Sequence, residues 1–346
     1  MYYLIRTMKS KILSTNLPKE LQNEAKSFTK KFVREKCLVK GRMKRHGILE
    51  NDNFIFYLCC YDEDKTNKIF KHQLAAGESF LIAYKETYKM MSEVEKKKTL
   101  RLKHNLSTYS TKIHQELYKL FPQDKISGNI HNQREVVGAI LEKNPDHAVT
   151  TFLRILKNSN LIKSEFDVYD ILHNPNPHVD RQNHSIHKVI TLSLSSFLLD
   201  FISKNIKLDM DKCDGFMSFD YKSISSILCH IFDNATKYVA PNSTFKISVD
   251  EDASYFNLIF DMISLKVNEN ELNKIFEEGF SSDFSEKLGY AGSGIGMNII
   301  KRLSELNNFR LEFKNNVDPT KGIERLGIPF EQNILTIGIP KNPPNI

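Results

Sequence analysis

The sequence of 346 residues contains no apolar run that approaches the roughly 20 residues needed to cross a bilayer. Its opening stretch, residues 1–13, is shorter than that and is interrupted by Arg6, Lys9 and Lys11. We therefore expect a chain without a membrane-spanning segment, a cytoplasmic location, no membrane partner, and a signal that arises inside the cell.

Cysteine is also scarce. The five cysteines include no CxxC pair with the spacing of metal ligands, and their odd number fits reduced thiols better than a disulfide framework. Their pattern gives no indication of a zinc site. They are Cys37, Cys59, Cys60, Cys213 and Cys229.

No strong imbalance of charge is present, because 49 Lys and Arg residues face 42 Asp and Glu residues, for a net charge of +7. Hydrophobic residues make up 40% and charged residues 26%, as in ordinary folded proteins, which excludes a disordered chain. The basic residues are spread out, apart from one dense run at 95–104. Nucleic-acid binding through that run is only weakly indicated, and it would depend strongly on salt.

Glycine and proline are missing from residues 84–121, which predicts one long helix ended by Pro122. A second helical region is expected at about 132–158, with a kink or restart at Pro145, because proline suits the first turn of a helix but breaks its interior. Residues 164–185 contain a turn-rich Asn-Pro-Asn-Pro stretch and are expected to be irregular. A domain boundary is placed near residue 185.

The part before residue 85 combines a charged stretch at 18–35, expected to be helical, with an apolar run at 54–61 that has the character of a buried strand. No pattern there indicates chemistry. After residue 185, helical and strand patterns alternate, which predicts an α/β sandwich. The expected helices are 190–204, 221–239 and 294–307, and the expected strands are 206–210, 245–249, 255–260, 311–314 and 334–339.

Residues 223–239 carry apolar side chains at the spacing of one buried helical face, and Asn234 and Lys237 lie together on an adjoining face. An amide oxygen can hold a magnesium ion, and a nearby ammonium can reach phosphate oxygens. The alternative is a plain amphipathic helix with a solvated polar face.

A glycine-rich stretch, Gly292 to Gly296, enters a helical pattern that begins at Met297. Glycines at a helix N-terminus let backbone amides approach phosphates. No strand runs directly into this stretch, and residues 281–291 resemble a flexible lid, so a dinucleotide-binding fold is disfavoured.

These residues resemble motifs of the sensor histidine kinases, a family with a GHKL or Bergerat-type ATP-binding domain. Residues 233–238 look like the N box, 273–280 like the F box and 292–296 like the second glycine box, in that order. The resemblance implies ATP and magnesium as cofactors, Asn234 on the metal, Lys237 near the phosphates, and a glycine loop that closes over ATP. The implied nucleotide contacts also include Tyr238, Asp261, Phe276, Gly292, Ser293, Gly294, Ile295 and Gly296.

The chain departs from the family at the first glycine box, where both glycines are missing from residues 261–267. Asp261 remains the candidate to accept a hydrogen bond from the adenine amino group, with Ser264 as a helper. The alternative for Asp261 is a turn residue at a strand end. His230 stands four residues before Asn234, where it could be a packed helix residue, a phosphate contact or a proton carrier.

The long predicted helix carries a heptad-like apolar seam suited to a two-fold bundle, formed by Leu102, Leu106, Tyr109, Ile113, Leu117 and Leu120. His104 lies nearly opposite that seam, so it is expected to face solvent. Residues 101–106 also resemble the family's H box, although Asn105 replaces the carboxylate that usually follows the histidine. The resemblance implies that His104 is the phosphoacceptor; the alternative is an ordinary surface histidine.

Together these patterns predict an α+β chain with an unassigned input or regulatory region (1–85), a helical dimerisation and phosphoacceptor region (86–184) and an ATP-binding catalytic domain (185–346). The resemblance implies autophosphorylation of His104, transfer to an aspartate of a response-regulator protein, and a homodimer. The alternative is an ATP-binding conformational switch without histidine phosphorylation.

Overall fold

The computed structural model describes residues 1–61, 66–128, 130–174, 177–213, 215–289 and 294–342. Gly292 and Ser293 of the predicted glycine loop lie outside the described residues. The chain divides into two compact units, Met1–Leu100 and Arg101–Ile346. Within the described residues, no helix is both long enough and apolar enough to span a membrane.

The first unit is built on a five-stranded antiparallel sheet with the strand order β2-β1-β5-β4-β3. The predicted buried strand is confirmed, since every residue of β5 is buried. The expected helix at 18–35 was only partly right, because a helix and a strand share this stretch. The elements are β1 (Tyr2–Thr7), β2 (Ile12–Thr15), α1 (Lys19–Ser27), β3 (Val33–Lys36), β4 (Met43–Glu50) and β5 (Phe54–Tyr61).

Helix α2 (Asn67–Leu120) confirms the predicted long helix that ends before Pro122, although it begins earlier than expected. It is followed by α3 (Gln123–Ser127), α4 (Gln133–Lys143) and α5 (Pro145–His173). The predicted restart at Pro145 is confirmed, because proline occupies the first turn of α5.

The irregular connection predicted at 164–185 was only partly right, since α5 continues to His173 and a strand, β6 (Arg181–Ser185), follows. Only the described residues between these two elements, 174 and 177–180, lie outside helices and strands. The buried face of α5 explains the error. Four of its six buried positions are polar, so the apolar periodicity that marks a helix is absent. The buried positions of α5 are Thr151, Asn158, Leu161, Ser164, Glu165 and Val168.

The rest of the second unit is the predicted α/β sandwich, and the α+β fold class is confirmed. A mixed sheet has the order β11-β13-β10-β9-β7, with β12 paired to β13, and a separate pair joins β6 to β8. Strands β6, β8 and β12 were not predicted. The further elements are α6 (Ile186–Ser195), α7 (Leu198–Ser203), β7 (Lys207–Met210), β8 (Phe216–Asp220), α8 (Tyr221–Tyr238), β9 (Thr244–Glu251), β10 (Tyr255–Leu265), α9 (Asp283–Lys287), α10 (Gly296–Asn307), β11 (Arg310–Lys314), β12 (Ile323–Arg325) and β13 (Ile328–Pro340).

One hydrophobic core joins the helical layer to the sheet and fixes the helix that carries the candidate site. Phe232 of α8 packs edge-on against Phe245 and Phe260, whose rings stack on each other across neighbouring strands. These three aromatic side chains are fully buried. Such a large apolar contact holds α8 firmly on the sheet, which leaves its polar residues at the edge of the layer.

Candidate nucleotide-binding site

A cleft lies between α8, the sheet and the start of α10, all within the second unit. Its walls combine polar side chains of α8 with apolar side chains of β10 and β13, which is the usual character of a small-molecule site. The described wall residues include His230, Asp233, Asn234, Lys237, Tyr238, Met262, Ser264, Leu265, Val267, Ile275, Phe280, Gly294, Ile295, Gly296, Phe313, Asn333 and Leu335.

Helix α8 places its polar residues in this cleft because its start and its apolar face are both fixed. The side chain of Asp220 accepts a hydrogen bond from the Ser223 backbone N–H at 2.7 Å and caps the helix. His230, Asn234 and Lys237 then follow at spacings of four and three, so they line one side of the helix. The structure brings together the predicted pair of Asn234 and Lys237.

An ion pair joins Lys237 to Asp233 one turn earlier on the same helix. Burial disfavours the Asp233 carboxylate, but the Lys237 cation outweighs this effect and holds the pKa of Asp233 below its usual range. Burial likewise opposes the Lys237 charge, yet Asp233 raises the pKa of Lys237. The ammonium is therefore charged and tethered beside Asn234, where it can attract phosphate oxygens.

His230 occupies the deepest of these polar positions and is only 7% exposed. Burial, assisted by the cations Lys237 and Arg101, lowers the pKa of His230 to about 4, against the attraction of Asp233. The imidazole is thus neutral at pH 7. Its Nε2 atom is buried without a hydrogen-bond partner among the described residues. Among the roles left open for His230, this burial favours that of a packed helix residue.

The glycine loop meets Asn234 at the start of α10. A Cβ atom added at Gly296 would lie 3.2 Å from Asn234 Nδ2 and 3.3 Å from its Oδ1. A side chain at this position would therefore fill the space in front of the amide. The open space beside Asn234 and Lys237 suits a magnesium ion bound to phosphate, because the amide oxygen and the ammonium offer the donor set that such a group needs.

Gly294 connects the loop to the segment that precedes α9. Its φ is +62°, and its carbonyl oxygen accepts a hydrogen bond from the Gly279 N–H at 3.1 Å. A Cβ atom here would lie 2.4 Å from the carbonyl oxygen of Phe280, a backbone atom that cannot move aside cheaply. The predicted F-box segment (273–280) and the glycine loop are therefore joined at a point where only glycine fits.

We expect the substitution Gly294→Ala to weaken binding of a fluorescent ATP analogue at least tenfold, because the added methyl group separates Gly294 from Phe280. The matched control is Gly289→Ala, where φ is +67° but no atom lies within 4 Å of the added Cβ. That control carries only the backbone strain of roughly 1–2 kcal/mol. Equal affinities for the two variants would contradict the proposed role of the close contact.

The adenine half of the cleft differs from the sequence expectation. Both carboxylate oxygens of Asp261 accept hydrogen bonds from the Gln332 Nε2, at 2.8 and 2.9 Å. Met262 and Ser264 line the cleft. Successive strand residues point to opposite faces of a sheet, so Asp261, the residue before Met262, points away from the cleft. The expectation that Asp261 contacts adenine is therefore not met by this geometry.

Asn333 supplies a polar group in the cleft wall beside Ser264, where Asp261 was expected to contact the nucleotide. It is fully buried on β13, and its Nδ2 donates hydrogen bonds to Ser264 Oγ at 2.9 Å and to the Leu265 carbonyl oxygen at 3.2 Å. Sequence reasoning missed it. The signal was present, because Asn333 continues the inward-facing alternation of Leu335 and Ile337 and so places an amide where an apolar side chain is expected.

The predicted F-box residue Phe276 also lies elsewhere. It borders a shallow depression on the far side of α10, together with Lys301 and Phe309, and does not line the cleft. Ile275 and Phe280 from the same segment do line it. The segment is held in place because Asn298 donates a hydrogen bond to the Phe276 carbonyl oxygen at 2.9 Å. Of the remaining predicted contacts, Tyr238, Ile295 and Gly296 line the cleft.

The last part of the cleft wall comes from the helical region, through Asn105 and Tyr109 of α2 and Glu165 of α5. Asn105 Nδ2 donates a hydrogen bond to Glu165 Oε1 at 2.9 Å. Glu165 is 3% exposed, and burial raises its pKa, although Asn105 and the Arg101 cation oppose this. His104 is exposed, as predicted, and it directly precedes a residue of the cleft wall.

We expect Asn105→Asp to lower the free energy of unfolding by about 2 kcal/mol at pH 8, because it sets a second carboxylate against the buried Glu165. The pKa of Glu165 is already raised in the folded state. The folded protein therefore binds a proton shared by Glu165 and the new carboxyl group more tightly than the unfolded chain does. Stability lost at pH 8 is therefore recovered as the pH falls toward 5.

Urea denaturation at pH 5 and pH 8 measures this effect. The control is Ser107→Asp, which adds the same charge at an exposed position of α2. The same pH dependence in both variants would show that Asn105 and Glu165 do not interact in solution.

Comparison with known families finds a similarity in the part of the chain that forms the cleft. Residues 219–327 match the family of histidine kinase-, DNA gyrase B- and HSP90-like ATPases. The matched segment begins just before α8 and includes the glycine loop and most of the sheet. This segment of the chain is therefore similar to the ATPase domains of that family.

Individual relatives confirm the resemblance to sensor histidine kinases. The chain is 27% identical over 100 residues to the probable sensor kinase SilS of Salmonella typhimurium, which is 29% of this chain and 20% of that protein. It is 24% identical over 98 residues to the sensor protein SrrB of Staphylococcus aureus, or 28% of this chain and 17% of that protein. The matches thus span about a fifth of these relatives.

Among solved structures, the Acinetobacter baumannii histidine kinase AdeS aligns at 15% identity with a TM-score of 0.41. The alignment covers 69% of this chain and 98% of that chain.

Proposed function

We propose that this protein is a histidine kinase that binds ATP with magnesium, phosphorylates its own His104 and passes the phosphoryl group to an aspartate of a response regulator. The observation that carries the proposal is the composition of the cleft wall. It joins the phosphate-binding residues of α8 and the glycine loop to Asn105, the residue next to the exposed His104.

The side chains around the phosphate end have distinct roles in this proposal. Magnesium, when bound with ATP, neutralises charge on the phosphates that leave and transfer. Asn234 supplies an amide oxygen to that ion, and Lys237 holds phosphate oxygens while Asp233 keeps its ammonium in place. Asn333 and Ser264 provide polar groups at the other end of the cleft, where a base would pack against Met262 and Leu335.

Histidine phosphorylation depends mainly on position, because phosphoryl transfer needs an attacking atom in line with the bond that breaks. His104 presents an exposed imidazole on helix α2, where it is accessible to a bound nucleotide. Asn105 cannot accept a proton as a carboxylate would. Glu165, a buried carboxylate that accepts a hydrogen bond from Asn105, is the candidate that replaces the missing one.

A homodimer and a separate regulatory region belong to the same proposal. We assign residues 1–85 to input, 86–184 to dimerisation and phosphoacceptor functions, and 185–346 to catalysis. Helix α5 supports a dimer, because three large apolar side chains at helical spacing stay exposed in the single chain: Val149 at 59%, Phe152 at 65% and Leu156 at 39%. Nucleic acid and membrane surfaces are not proposed as partners.

The second candidate is a nucleotide-dependent switch without phosphorylation. One contact favours it: Arg101 Nη1 of α2 lies 3.3 Å from Glu278 Oε1 of the F-box segment, which directly precedes the predicted lid, and Arg101 is only 12% exposed. Lid closure over ATP would therefore act directly on the helix that carries His104. Asn105 and the altered adenine side of the cleft also fit this alternative.

Incubation of the full chain with γ-labelled ATP and magnesium separates the two functions. A kinase gives label that is lost in acid and kept in alkali, as expected for phosphohistidine. A switch binds the nucleotide and takes no label. Acid-stable label would indicate a serine, threonine or tyrosine phosphoacceptor and would overturn the assignment of histidine.

A further inference from the structure

A cluster of three metal-ligand side chains lies in the first unit, far in sequence from every residue of the nucleotide cleft. Glu24 of α1, Glu35 of β3 and His46 of β4 each offer one ligand atom, and these atoms lie within 4.8 Å of one another. We propose that Glu24, Glu35 and His46 bind a divalent first-row transition-metal ion, which makes the first unit a metal-binding input region.

The buried histidine is what distinguishes this cluster from a chance group of acidic residues. His46 is fully buried, yet its Nε2 atom has no hydrogen-bond partner among the described residues. It lies 2.9 Å from Glu35 Oε1. When two ligand atoms each lie about 2.1 Å from one ion and the ligand–metal–ligand angle is about 90°, the two atoms are about 3.0 Å apart. The distance between His46 Nε2 and Glu35 Oε1 therefore suits a shared cation.

The other side of the imidazole is held as a metal-binding histidine requires. His46 Nδ1 lies 3.0 Å from the Tyr57 hydroxyl, and the Phe28 ring packs on the imidazole with centroids 4.0 Å apart. Partners of this kind fix the orientation of a ligand ring and leave the second nitrogen for the metal.

The donor set selects the class of ion. One imidazole nitrogen with two carboxylate oxygens suits manganese, iron, cobalt or zinc, whereas calcium and magnesium prefer oxygen ligands alone. The side chains of Glu24 and Glu35 are 37% and 46% exposed, so an ion can enter from solvent. Open coordination positions remain for water.

Lys44 gives the cluster a charge partner when no ion is bound. It is 2% exposed and forms an ion pair with Glu24. Its ammonium thus neutralises one carboxylate in the ion-free protein and competes with a metal for it. A purely structural ion pair predicts that loss of Lys44 only destabilises the unit, whereas a metal site predicts that it strengthens metal binding.

Calorimetric titration of the full chain with zinc chloride tests the proposal. We expect one zinc ion per chain, no competition from a large excess of magnesium, and affinity at least tenfold weaker in Glu35→Gln and in Glu24→Gln. The matched control Glu20→Gln, on the exposed side of α1, should keep the affinity within twofold. These variants change no buried side chain, so they avoid the risk that His46→Ala fails to fold.

Two further variants make the outcome decisive. Lys44→Met should bind zinc at least threefold more tightly, and Asn234→Ala, which alters the nucleotide cleft, should bind it as the unchanged protein does. Absence of zinc binding, or equal affinity in Glu35→Gln and the control, would overturn the metal site. Neither result depends on whether the protein phosphorylates His104. Failure of the proposed kinase function would appear in the labelling experiment with ATP and not in these zinc titrations.

Discussion

The substitution His104→Ala is expected to remove all acid-labile label from the protein while ATP binding stays within about twofold of its original strength. His104 is exposed and does not line the cleft, so its loss removes the attacking imidazole without changing the nucleotide contacts. The expected loss is complete because no other side chain of the helix takes the same place beside Asn105. Labelling with γ-labelled ATP and titration with an ATP analogue measure the two properties.

His114→Ala is the matched control, since His114 is also an exposed histidine of α2 and bonds locally to the Ser110 carbonyl oxygen at 2.8 Å. It should be labelled as strongly as the unchanged protein. Label that persists in His104→Ala and disappears in His114→Ala would move the phosphoacceptor by ten residues along the helix. Loss of label in both variants would indicate damage to the helix rather than loss of an acceptor.

We expect Asn234→Ala to weaken magnesium-dependent ATP binding by roughly 100-fold, because Asn234 would be a direct ligand of the magnesium ion. The side chain is half-buried and faces the space in front of Gly296, so its removal opens the cleft without exposing the apolar core. The weak binding that remains should no longer respond to magnesium. Titrations with and without magnesium measure both the affinity and its dependence on the ion.

Asn183→Ala serves as the control, because Asn183 is exposed on β6 outside the cleft. It should bind ATP as the unchanged protein does and keep the full magnesium dependence. An Asn234→Ala protein that still responds to magnesium would place the metal contact on another residue, and His230, one turn earlier, would be the first to test.

The sequence predicted the parts of the site that local patterns define. Helix α8 has an apolar stripe at helical spacing, so the common side of Asn234 and Lys237 followed from periodicity alone. The glycine loop could be placed because glycine tolerates the positive φ that Gly294 has in the structure. Both features depend on neighbours in the chain, which is why they could be predicted.

The adenine side and the helical wall depend on contacts between distant segments. Because the first glycine box is missing, Asp261 was the only residue there of the type that binds adenine in the family. Its direction away from the cleft depends on which face of β10 packs under the helices, and the sequence alone does not fix that. Glu165 was missed because α5 buries polar residues, and its bond to Asn105 joins positions 60 residues apart. The cluster around His46 likewise assembles from three separate elements of the first unit.

Titration calorimetry with a non-hydrolysable ATP analogue, with and without magnesium, tests the central claim that the cleft is an ATP site. We predict one binding event per chain that is at least tenfold tighter with magnesium, as the Asn234 and Lys237 geometry requires. A folded protein that shows no binding at saturating analogue, or binding that is the same with and without magnesium, would contradict the account.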